Sequence, residues 1–361
     1  MTGRRTLIGL VASSLSIVWV GCCVHFDGGP QAKAERQDQL AAPIGPGATL
    51  KARTDFGSIN VTGADADECR VTAEVTARAP TEKEAQEILD QVRVVLEPTP
   101  GGLDLRVDKP SLRGNRSVGA SFTVTMPRGT ALDGHTSFGS IHVQDLTAAV
   151  KAHTSFSSVT ADRVTGPLRL TTSHGSIHAN QIVSQDVVAE SSFGRIEVDF
   201  AAGKVPIPGP SDLQTSQGSP VTPTNVEAEP NFPKVEMDLP VQSHAPSSLD
   251  LRTSHGSIAC RQVSAGRLHL RTSFGGIHLE CSPSAPSGVQ LDAATSHGSI
   301  TCQAPARFAG SVDLDTSFGH IQADRPILIQ GKVDKDHLTG TIGTGTGRIR
   351  LKTEFGNITL K

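Results

Sequence analysis

Histidine is the side chain that most often binds a metal or moves a proton near neutral pH, and this sequence has 13 of them. Their spacing decides whether they can act together. His135 and His153 each precede a copy of a short recurring motif, one repeat apart, while His142 and His178 lie two repeats apart. If successive repeats stack at the strand spacing of about 4.8 Å, the second pair is about 9.6 Å apart. That is too far to share a zinc ion bound at about 2.1 Å. The first pair comes closer but brings no carboxylate or thiolate with it, so no metal site is expected. Serine stands beside histidine at Ser173-His174, Ser254-His255 and Ser296-His297. Neighbours on a strand point to opposite sides, and the histidine slot holds Phe in other copies, so no catalytic serine is expected. Asp313 or Asp315 with Asp292 could form the carboxylate pair that sugar hydrolysis uses, but nothing distinguishes them from solvated strand residues. Cys260 and Cys302 occupy one slot two repeats apart, with Cys281 between them. These three are expected to face the core as small hydrophobes. A Cys260–Cys281 disulfide stays open if their Cα atoms fall within about 7 Å. No Cys-x-x-Cys spacing occurs, and no catalytic, cofactor or metal residue is assigned.

The element that must position these residues is the repeat itself. Thr-Ser-Phe-Gly-Ser-Ile at Thr136 returns at Thr154, Thr172, Ser191, Thr253, Thr272, Thr295 and Thr316, with looser copies at Thr54 and Thr353 and a degenerate one at Thr215. A period near twenty residues is a solenoid signature. It is too short for a strand-helix-strand unit, so each repeat should form one turn of a parallel β-helix. Leu251 and Thr253 share one side of a strand, and Ile258 and Cys260 share one side of the next, with a Gly corner between. The third motif position runs Phe138, Phe156, His174, Phe193, His255, Phe274, His297 and Phe318. Alternation from Thr turns this column inward, which predicts an internal aromatic ladder. Buried His174 and His297 would favour the neutral form, and stability would fall below about pH 6.

These features predict an all-β, single-stranded parallel β-helix of about ten rungs. Thr81-Glu82-Lys83-Glu84 is a capping box that starts the one convincing helix, within a capping region. Residues 1–22 read as a signal peptide: Arg4 and Arg5 precede an apolar run that ends at Trp19-Val20-Gly21-Cys22. That ending resembles a bacterial lipobox and implies lipidation at Cys22, with Cys23 directly behind as a rival; ordinary cleavage or an uncleaved anchor are the alternatives. Residues 23–47 read as a flexible tether, 48–130 as the N-terminal cap with the first rung, and 131–200 as solenoid rungs. A Pro-rich insert with a degenerate rung follows at 201–248, then rungs and closure at 249–361. The net charge of −3 and the scattered basic residues leave no nucleic-acid footprint.

The recurring Thr-Ser-Phe/His-Gly-Ser-Ile with Leu-x-Leu before it resembles the bacterial putative-adhesin β-solenoid domains, over Leu50 to Lys361. That resemblance implies an envelope protein with a solenoid fold and no catalytic residues to carry over. The expected function is a non-catalytic, exported, lipid-anchored binding or structural module, with a protein, glycan or neighbouring copy as partner. Two alternatives stand beside it: a carbohydrate-active enzyme on a β-helix, which would need clustered charges along a groove, and an envelope-stress component acting through a protein partner.

Overall fold

The computed structural model describes residues 31–184, 186–201, 248–329 and 334–361. Most of them lie in strands, and every strand belongs to one of two long sheets. Each repeat supplies one strand to each sheet, with the motif glycine at the corner between them. In spatial order the first strands of the rungs are Thr49–Phe56, Ala131–Phe138, Val150–Thr154, Leu168–His174, Asp186–Phe193, Ser248–His255, Arg267–Phe274, Gln290–His297, Gly347–Phe355 and Gly310–Phe318. They are called rungs 1 to 10 below, and every rung's first strand pairs in parallel with the next. The expected β-helix of about ten rungs is therefore present.

Alternation builds the core. Leu and Ala before the motif, the motif Thr, and the Ile or Val that opens the second strand all point inward. Ile59, Ile141, Val159, Ile177, Ile196, Ile258, Ile300 and Ile358 are all at most 1% exposed. Each buried Ile contributes roughly 1.5–3 kcal/mol relative to an exposed one. A rung cannot bury this face alone; stacking does it.

The sequence of rungs departs from chain order in one place. Gly347–Phe355 lies between Gln290–His297 and Gly310–Phe318, so the last rung in the chain is ninth in the stack. The chain runs out to rung 10 first, then returns through His337–Ile342, which pairs antiparallel along Gly310 to Asp315 and covers that edge. Rungs 5 and 6 pair directly, Val187 with Leu249 and Ile196 with Ile258. No rung stands between them, and the Pro-rich segment at 202–247 with its motif copy at Thr215 lies outside the described residues.

The N-terminal cap is antiparallel. Glu68–Ala79 pairs with Ser117–Pro127 on one side and with Ala32–Pro43 on the other. The reading of residues 23–47 as a tether is thus corrected for Ala32–Pro43, a twelve-residue strand. Its polar composition concealed it: one face packs against the helix Glu82–Gln91, where Arg36 donates to the carbonyls of Leu89 and Val92 at 3.0 and 2.9 Å. The helix starts as expected, with Thr81 Oγ1 accepting from Glu84 N at 3.3 Å. The Glu84 carboxylate turns away to Arg116, whose Nε lies 2.7 Å from it.

Candidate functional site

The motif corner is built from threonine upward. Each motif Thr is buried, and beyond rung 1, where Thr54 donates to Ala120 of the cap at 2.9 Å, its hydroxyl donates to a corner carbonyl of the preceding rung in the stack. Thr154 reaches Gly139 at 2.8 Å, Thr253 reaches Gly194 at 3.1 Å and Thr272 reaches Gly256 at 2.9 Å. The swapped rungs obey the same rule, Thr353 to Gly298 at 2.9 Å and Thr316 to Gly356 at 2.8 Å. Glycine stands beside it in every rung but the third, where Ser157 takes the corner. A Cβ on Gly256 would sit 2.0 Å from the Gly194 oxygen, and Gly275 and Gly298 add φ of 147° and 153°. With the inner corner filled by the threonine hydroxyl and this close backbone stack, no room remains inside for a ring.

The aromatic column therefore turns outward, which corrects the internal ladder. Phe138 is 47% exposed and Phe156, Phe193 and Phe274 are each 49% exposed. His174, His255 and His297 are exposed as well. The ladder itself is real. From Phe56 through Phe138, Phe156, His174, Phe193, His255, Phe274, His297 and Phe355 to Phe318, neighbouring ring centroids are 4.8–5.0 Å apart with planes within 16°. Rings stacked this way cover one another's faces and offer solvent their edges. At the first end Lys109 Nζ stands 5.9 Å from the Phe56 centroid. At the other end Phe318 is 68% exposed.

Beside this ridge a shallow groove of ≈ 480 Å³ runs over rungs 4 to 9. Its floor is the small Ser and Thr of the motif, among them Ser173, Ser192, Ser254 and Ser273, and its wall carries Glu190, Arg252, Arg271 and Lys352. This charged wall was not visible in the sequence, because its members are far apart in the chain.

The other candidate groups are held apart. The rings of His135 and His153 stack at 4.8 Å. Burial, then His135, then Lys151 push the His153 pKa down. His142 and His178 face outward two rungs apart, each beside its own carboxylate, Asp162 at 3.7 Å and Glu197 at 3.1 Å. Among the described residues no group of three or more His, Cys, Asp or Glu is placed to hold a metal. Asp292 and Asp313 are not adjacent, since Arg350 of the interposed rung lies between them, its Nε 3.5 Å from Asp313. Asp315 likewise meets Lys352.

Cys69, Cys260, Cys281 and Cys302 are free and buried. Cys260 and Cys302 flank Leu279 in one column, whereas a bulge after Cys260 brings Cys281 opposite Val263, so Cys260 and Cys281 do not pair. Burial pushes the Cys69 and Cys281 thiols up to about 12, Glu68 adding to the effect at Cys69 and Arg325 opposing it at Cys281. Cys22 lies outside the described residues.

Comparison with curated proteins gives no match. One similar solved structure is described as a putative cell adhesion protein from Clostridium sporogenes ATCC 15579, at 9% identity and TM-score 0.22, covering 90% of this chain and 99% of that one. Another is a putative adhesin from Bacteroides fragilis NCTC 9343, at 11% identity and TM-score 0.35, covering 90% and 97%. Overlap at these scores says nothing about ligand or partner. The family model described as Toastrack DUF4097 matches residues 57–361. Because that span opens on the first corner glycine and runs through every later rung to the last residue, the chain belongs to the Toastrack DUF4097 family.

Proposed function

We propose that this protein is a non-catalytic binding or structural module of the cell envelope, adhesin-like in its mode of action, exported and held to the membrane by a lipid on Cys22. The observation that carries the reading is the ridge. Seven phenylalanines stand 43–68% exposed in one column of stacked rings that His174, His255 and His297 complete. At roughly 200 Å² of surface each, they present on the order of 700 Å² of ring. Contiguous apolar patches beyond a few hundred Å² on a protein surface mark interaction sites. The N-terminal basic and apolar pattern ending at Cys22 supports export and anchoring. No helix among the described residues is long and apolar enough to cross a membrane. Chemistry finds less support, since the rung that carries Arg350 and Lys352 separates Asp292 from both Asp313 and Asp315.

The test displays the full chain on cells and compares it with the triple variant Phe156→Ser, Phe193→Ser, Phe274→Ser at matched surface level. Retention of wild-type cells on an envelope-coated surface, and its loss in the variant, is the expected result. Equal retention would refute the ridge as the binding face. Radiolabelled fatty acid should enter the wild-type chain and not Cys22→Ala.

A further inference from the structure

The charges beside the ridge pair between neighbouring rungs of one chain, Lys151 with Asp133 at 3.9 Å and Arg350 with Asp313 at 3.5 Å, and their order along the stack is also related by reversal. Two columns point outward from the first-strand sheet, one residue and three residues before each motif Thr. Along the second column, rungs 1 to 3 carry Lys51, Asp133 and Lys151, and rungs 8 to 10 carry Asp292, Arg350 and Asp313. Counted inward from the two ends, the signs are opposite at these three steps, while the two inner steps set Arg169 against His269 and Val188 against Asp250, neither a pair of opposite charges. In the first column Arg53 of rung 1 answers Asp315 of rung 10 and Glu190 of rung 5 answers Arg252 of rung 6, whereas reversal sets His135 against Lys352, His153 against Ala294 and Thr171 against Arg271. The ring column is compatible with the same reversal, because His occupies rungs 4, 6 and 8 and reversal sets each opposite a Phe.

We propose that the outer face of this sheet, ridge included, is closed by a second copy of this chain laid with its stack reversed, rung 1 against rung 10. A two-fold axis along the strand direction, between two facing sheets, sends each column onto itself and each rung onto its reversed counterpart. Such an interface is isologous. It sets Lys51 against Asp313, Asp133 against Arg350 and Lys151 against Asp292, and every pair occurs twice. Sliding by one rung puts Lys51 against Arg350 and Asp133 against Asp292, like against like, and His174 against His255. Laying the copies with their stacks in the same direction needs a two-fold axis along the stack, which reverses the strands and so cannot set both columns onto themselves. The pattern therefore specifies one register, as repulsion against wrong partners does.

The exposed ring surface of about 700 Å² is close to the roughly 800 Å² per partner of a standard interface. The stacked rings leave no free faces along the ridge, so a flat sugar gains little there. A second ridge of matching spacing meets it edge to edge, beside the Ser-floored groove. This inference rests on the ridge face being the binding face.

Rungs 1 and 10 of one chain are about 43 Å apart, nine steps of about 4.8 Å, so Lys51 and Asp313 cannot touch within it. Sedimentation of the full chain in mild detergent should show a dimer that weakens with salt. Lys51→Asp alone and Asp313→Lys alone should each weaken it roughly tenfold or more. The double variant should return to near the wild-type constant, while Phe193→Ser weakens it without rescue. A wild-type chain that stays monomeric, or a double variant no better than the single ones, overturns the proposal. If the wild type is monomeric yet the triple phenylalanine variant loses surface retention, self-pairing fails and the ridge reading stands. If retention is also unchanged, both fail.

Discussion

At the corner of each rung one hydroxyl and one missing side chain decide where the ring goes. Thr272→Val keeps the shape but leaves the Gly256 carbonyl without its donor, and should cost about 1 kcal/mol in chemical denaturation. Gly256→Ala puts a methyl 2.0 Å from the Gly194 oxygen and should cost roughly 1–3 kcal/mol. His153 titrates lower in the fold than free imidazole, so the unfolded chain binds the proton more tightly. Its contribution is fully present above the unfolded value, about 6.5, and is lost as pH falls through the folded value. Melting temperatures between pH 7.5 and 5.5 should fall less steeply in His153→Gln than in the wild type. His174 and His297, read from the sequence as buried, are exposed. The buried thiols should resist an aromatic disulfide reagent at pH 8 until denaturant is added; rapid labelling of all four would contradict their burial. Thr and Ile were legible in the sequence because alternation holds along a strand. The ring column was not, because alternation stops where the strand ends at the corner.

At the scale of the rung, sequence copies are interchangeable, and this limited what could be read. Rungs 8, 9 and 10 each offer Thr, an aromatic and Gly, so the local pattern cannot say that Gly347–Phe355 slots between rungs 8 and 10. Cross-linking can. Under mild oxidation Asp292→Cys with Arg350→Cys should form a disulfide, since adjacent strands bring Cα atoms within the required range. Asp292→Cys with Asp313→Cys, two rungs apart, should not. Stacking in chain order predicts the reverse. The helix and the antiparallel cap strands were legible from Thr81-Glu82-Lys83-Glu84 and from the alternating Val71, Ala73, Val75 and Ala77. The strand Ala32–Pro43 was concealed, because its partner Glu68–Ala79 supplies most of the apolar face and leaves it polar.

For the molecule as a whole, the sequence carried the solenoid and its family but not the outer face proposed for binding. The face depends on columns assembled from residues hundreds of positions apart, such as Lys51 with Asp313, and on rings that leave the core. The central claim is that the ring ladder stands outside. Hydroxyl-radical footprinting at a dilution where the chain is monomeric tests it directly, with Phe122 and Phe308 as buried references at 0% and 4% exposure. Phe138, Phe156, Phe193 and Phe274 should be oxidised several times faster than either reference. Rates equal to that of Phe122 would place the ladder inside and contradict the account.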